Sequence, residues 1–253
     1  SSSYDAMYVA SGVTVSATTS HTINVQPTTT NDEDMYLHLN GKDVGNLTLN
    51  MNQSSEKLIL ESGINVTGAL TLSTEELDIQ SNTLTVAGAS DIDGTLTIST
   101  GTYDANGAFD ATGGNVSISG AGRLEMASTV TDLGNATLGT ASTVSYNGSG
   151  AQTIDDLSSK SAYGNVELEG GLKNMEGETT VSNKLTWGGD ADMATNGNTL
   201  ILTGGQPENF GGSDSEGWGN PDNDRVIHKG SGNEVTIRYT STTDEFFLPV
   251  GED

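Results

Sequence analysis

Cysteine is absent from the 253-residue chain, so neither a disulfide framework nor a thiolate nucleophile or ligand enters its chemistry. Basic residues are nearly as scarce, nine Lys and Arg against 34 Asp and Glu, for a formal charge of -25. The acids are spread along the whole chain, and such a surface repels nucleic acid and anionic lipid. The three histidines, His21, His38 and His228, show no HxH or HExxH spacing, which argues against a histidine metal site. No run approaches the roughly 18 apolar residues of a membrane span. Leu, Ile, Val and Phe together make up only 51 of 253 residues, near the roughly 20% floor below which charged chains stay unfolded.

What is present answers that composition. A turn residue, then apolar, polar, apolar, recurs as GNLTL (Gly45 to Leu49), GALTL (Gly68 to Leu72), NTLTV (Asn82 to Val86) and GTLTI (Gly94 to Ile98). It returns as GNVSI (Gly114 to Ile118), GNVEL (Gly164 to Leu168), NKLTW (Asn183 to Trp187) and NTLIL (Asn198 to Leu202). Alternation with period two and β-branched Thr, Val and Ile predict short strands with two apolar side chains inward and the residue between them in water. No window sustains helical spacing, and only four prolines interrupt the chain.

Read as one repeating strand, the series Leu47, Leu70, Leu96, Val116, Val166 and Leu185 advances in steps of 23, 26, 20, 50 and 19, the 50 read as two rungs. Periods of roughly 20 residues belong to solenoids, and added strands at Leu58 to Leu60, Leu77 to Ile79 and Leu84 to Val86 fill each rung. The predicted fold is therefore all-β: a parallel β-helix with two or three strands per rung, preferred over a β-sandwich. Residues 1–205 are assigned to solenoid repeats. Residues 206–253 are assigned to an irregular loop, 206–225, followed by terminal strands at Glu234 to Tyr239 and Phe246 to Val250 that serve as last rungs, a cap or the start of another domain.

The stretch TVSYNGSGAQTI (Thr143 to Ile154), then YGNVELEG (Tyr163 to Gly170), and the ending DEFFLPVGED (Asp244 to Asp253) resemble repeats of very large secreted and cell-surface proteins of Bacteroidota, including gliding and adhesion proteins. The resemblance covers about residues 40 to 253. It implies export by the type IX route, a place at the cell surface or outside the cell, and a role in adhesion, motility or matrix. The chain lacks the C-terminal sorting domain of such cargo and opens on Ser1-Ser2-Ser3, so it reads as part of a longer polypeptide or an extracellular assembly.

Chemistry is sparse by the same reading. Asp155-Asp156 is similar to the double aspartate of pectin-degrading hydrolases, but the Gly-His-Gly and Arg-Ile-Lys elements that accompany it there are missing, which leaves a turn between Ile154 and Leu157. Calcium is the one cofactor the residues suggest, because hard cations take several oxygens from Asp-rich loops. Asn220, Asp222 and Asp224 supply alternating oxygens, although Arg225 stands where a calcium-loop glycine belongs and Ser231 at the twelfth position. Asn31 to Asp34 is a weaker candidate. Trp218, in the glycine-rich loop, is the candidate ligand contact for a glycan; Trp187, at an inward strand position, is assigned to the core, the commoner place for an aromatic in a strand and the one preferred also for Tyr103, Tyr146 and Tyr163. The expectation is a non-catalytic structural or adhesive segment, with a carbohydrate-active or carbohydrate-binding β-helix as the alternative.

Overall fold

The computed structural model of the chain describes residues 4–9, 18, 20–26, 34–50, 57–157, 161–188 and 191–203, together with the backbone of strands Val226–His228, Thr236–Tyr239 and Val250–Glu252. Every regular element among these residues is a β-strand, and every strand pair is parallel, so the fold is a β-solenoid. No helix among the described residues is long and apolar enough to cross a membrane, which says nothing of strands. The chain forms two compact units, residues 1–125 with 131–137 and residues 126–130 with 138–253.

In the first unit the coils between Met35 and Asp110 carry three short strands each, on three sheets. One sheet runs through Tyr4–Tyr8, Met35–His38, Lys57–Leu60, Glu76–Asp78, Thr95–Ile98 and Asn115–Ile118. A second runs through Asp43–Val44, Ile64–Val66, Thr83–Val86 and Thr102–Ala105, and a third through Thr22–Val25, Asn46–Leu49, Leu70–Leu72, Ser90–Ile92 and Phe109–Asp110. Leu58, Leu77, Leu96 and Val116 stand in register, so each is one full coil beyond the residue before it.

The apolar, polar, apolar strands behave as their pattern predicts. Leu47 and Leu49, Leu70 and Leu72, Leu84 and Val86, and Leu96 and Ile98 are all buried, with a partly exposed Thr between each pair. Stacking such pairs coil upon coil makes a narrow continuous core, which is how few large aliphatics suffice. The series of steps from Leu47 to Val116 does not follow one face throughout. Leu47 does pair with Leu70, and Leu96 with Val116, but Leu70 pairs onward with Ser90 and Leu96 lies on another sheet beside Leu77. The step from Leu70 to Leu96 therefore joins two faces. A strand as short as Leu70–Leu72 contains nothing that marks its face; the turns between strands decide it.

Two features set the coil spacing. At the corner before the third sheet, Gly45, Gly68, Gly88 and Gly107 stack, with the Gly68 N–H donating to Gly45 O and the Gly88 N–H to Gly68 O, each at 2.8 Å. A Cβ at Gly88 would lie 2.5 Å from Gly68 O, and one at Gly107 2.1 Å from Gly88 O, so the corner closes only on glycine. Inside, large and small side chains alternate along the column Leu70, Ser90, Phe109. Small Ser90 admits the Tyr103 ring from the second sheet; the Tyr103 hydroxyl donates to Ser90 Oγ at 2.8 Å, and its ring meets Phe109 edge-on at 6.0 Å.

The second unit uses two sheets. One contains Thr143–Tyr146, Tyr163–Glu169, Thr179–Gly188, Thr199–Leu202 and Thr236–Tyr239; the other contains Gln152–Ile154, Leu172–Met175, Asp192–Ala194, Val226–His228 and Val250–Glu252. The long strands absorb their extra residues in a register shift between Tyr163 and Asn165. Trp187, inward and in register with Leu168, is 1% exposed and belongs to the core. The Tyr146 and Tyr163 hydroxyls meet at 2.8 Å, and Tyr163 donates to Asp155 O at 2.9 Å, so both buried phenols are satisfied.

Candidate functional site: a recess over a buried lysine

In the second unit, Gln152, Lys173 and Met193 stand in register on the second sheet, and all three are buried. Each lies two positions before an inward neighbour (Ile154, Met175 and Thr195 respectively), so alternation turns it inward too. Lys173 is 0% exposed. Its Nζ donates to Gly148 O at 2.6 Å and to Gln152 Oε1 at 2.8 Å. The same Oε1 accepts the Gly148 N–H at 2.8 Å, and Gln152 Nε2 donates to Met126 O at 2.8 Å and Ser128 O at 2.7 Å. The carboxamide thereby ties the 126–128 segment to the turn at 148–152. Those two segments wall a recess of about 280 Å³, lined by residues 127–129 and 148–152.

Burial pushes the Lys173 ammonium down to about 8, against a smaller opposing pull from the Glu169 carboxylate. A solvated lysine titrates near 10.5, so at mildly alkaline pH a substantial fraction of Lys173 is the neutral amine, a nucleophile. Sequence reading passed over this pair because Lys is almost always solvated. The available signal was positional: Gln152 and Lys173 each sit two positions before a core side chain in an alternating strand.

None of the sequence-predicted site residues is among these. Asn220, Asp222, Asp224 and Trp218 lie outside the described residues, as do residues 31–33. Asp155 and Asp156 follow the strand that ends at Ile154; Asp155 is 5% exposed and its carbonyl accepts the Tyr163 hydroxyl. Tyr103, Tyr146 and Tyr163 are fully buried. His38 stacks on Tyr8 at 4.8 Å and lies 3.7 Å from Glu61, and Arg123 pairs with Glu125 in the same strand. Among the described residues no three His, Asp or Glu side chains are grouped to hold a metal ion. Asp91 stands in register with Asp110; partial desolvation, then repulsion from Asp93 and Asp110, holds its carboxyl above the usual range. No protein-family model matches the chain, and neither a curated protein nor a solved structure matches it at a significant level.

Proposed function

We propose that the chain is an extracellular, non-catalytic structural or adhesive segment of a larger bacterial surface or secreted protein. The observation that carries this reading is the register of the outward side chains. On the third sheet of the first unit, Asn24, Thr48, Thr71, Asp91 and Asp110 follow one another coil by coil. Parallel strands repeat at about 4.8 Å, so amides, hydroxyls and carboxylates form a regular row on a rigid backbone. A row of this kind suits repeated weak contacts with a polymer or matrix, where avidity replaces a single deep site. The likeness of the repeats to Bacteroidota surface proteins supports type IX export and a place in adhesion or gliding. Calcium at Asn220, Asp222 and Asp224 and glycan stacking on Trp218 belong to the same proposal.

The second reading is a carbohydrate-active or carbohydrate-binding solenoid. It is favoured by the recess at 127–129 and 148–152, whose volume is just below that of small-molecule sites. Glycan-array binding of the whole chain, with and without a chelator, combined with assays for sugar release from polysaccharides, separates the two. Binding without product release is the expected result, and chelator sensitivity would place calcium in it. Release of soluble sugar overturns the non-catalytic reading.

A further inference from the structure

The geometry points to an intramolecular isopeptide bond between Lys173 and Gln152, in which Nζ replaces Nε2 on Cδ and ammonia is released. The inference rests on the second unit alone and stands whether or not the surface role above holds.

An amine attacks a carboxamide only when it is neutral, close and shielded, and when the oxyanion that forms is met by a donor. The geometry supplies closeness, shielding and the oxyanion donor, and burial shifts the amine towards its neutral form. Lys173 is fully buried, and that burial favours its neutral form. Its Nζ lies 2.8 Å from Gln152 Oε1. With a carbonyl bond of about 1.23 Å, this contact sets Nζ roughly 3 to 4 Å from Cδ, close to the separation of a near-attack geometry. The Gly148 N–H already points at Oε1 from 2.8 Å, where negative charge would develop. The leaving nitrogen is held on its far side by Met126 O and Ser128 O.

The step balances without an added reagent. The Nζ lone pair forms the bond to Cδ, and the carbonyl π pair moves onto Oε1 under the Gly148 N–H. On collapse the Cδ–Nε2 bond breaks. Nε2 takes a proton from Nζ and departs as ammonia, leaving a secondary amide. The recess that Gln152 lines gives the ammonia a route out. The product also removes a buried cation, whose desolvation is otherwise unfavourable. It fastens two adjacent coils through their core, closing the chain between residues 152 and 173.

The test is the mass of the intact, denatured chain after folding and incubation near pH 8. The expected mass is below that of the sequence by one ammonia, about 17 Da, for the nitrogen displaced by the amine nucleophile. Proteolysis should then give one branched peptide joining the segments around Gln152 and Lys173. Lys173→Met and Lys173→Arg should both return the full sequence mass. A wild-type chain at full sequence mass with no branched peptide overturns the proposal, whatever the variants do. A loss that persists in Lys173→Met overturns it as well, because the ammonia then comes from another site.

Discussion

Replacing Gly88 by Ala tests whether close backbone approach sets the coil spacing. Gly88 does not adopt a positive φ, so alanine meets no conformational penalty there. The obstacle is steric alone: the new Cβ would lie 2.5 Å from Gly68 O, 2.7 Å from Gly68 C and 3.0 Å from Ala69 N. All three are backbone atoms, and no side chain can rotate to make room. Relief requires the coils to part at the corner by about 1 Å, the shortfall from an ordinary carbon contact of about 3.5 Å. That movement stretches the 2.8 Å bond from Gly88 N to Gly68 O beyond the normal range. Overpacking costs about 1–3 kcal/mol and a weakened buried hydrogen bond about 1 kcal/mol, so a destabilisation of about 2–4 kcal/mol is expected. Gly113 supplies the contrast: its φ is +85°, yet a Cβ there meets nothing within 4 Å. Gly113→Ala should cost only about 1 kcal/mol, a conformational term. Urea unfolding followed by far-UV circular dichroism, with hydrogen exchange of amides 83–110 to localise the effect, measures both. A Gly88→Ala chain within about 0.5 kcal/mol of wild type, the usual range for a neutral substitution, would refute the reasoning.

Burial holds the phenols of Tyr103, Tyr146 and Tyr163 well above their ordinary value of 10. Above pH 10 the unfolded chain therefore sheds protons that the folded chain keeps, and stability should fall as pH rises from 10; three tyrosines titrating near 10 in the native protein, followed by phenolate absorbance, would contradict this. Tyr103→Phe removes the donor to Ser90 and should cost about 1 kcal/mol in the same urea assay, with Tyr103→Ala costing about 3–5 kcal/mol for the cavity. Asp91 is exposed and repelled by Asp93 and Asp110. Asp91→Asn should stabilise by a few tenths of a kcal/mol at low salt, a gain that vanishes at high salt; an equal gain at both would locate its origin outside charge repulsion.

Much of the fold was legible because its signal is local. Leu84-Thr85-Val86 or Leu96-Thr97-Ile98 announces a short strand with one buried side. The return of such strands with a period of about 20 residues announces a solenoid. The inward Trp187 was legible for the same reason: it is read from its immediate neighbours. The recess was not, because its two walls, 127–129 and 148–152, belong to segments far apart in the chain that the Gln152 carboxamide ties together.

The sequence by itself therefore determined the parallel all-β solenoid, the polarity of each strand and the acidic exterior, all of which follow from side-chain alternation and net charge. Only the tertiary structure decided which sheet each strand joins, since that depends on the turns between strands. It alone matched small Ser90 to Tyr103, because the two lie on different sheets. It also placed Lys173 in the core, where a residue type that nearly always seeks water is held between Gly148 and Gln152. Register between coils, a property of no single segment, made these contacts.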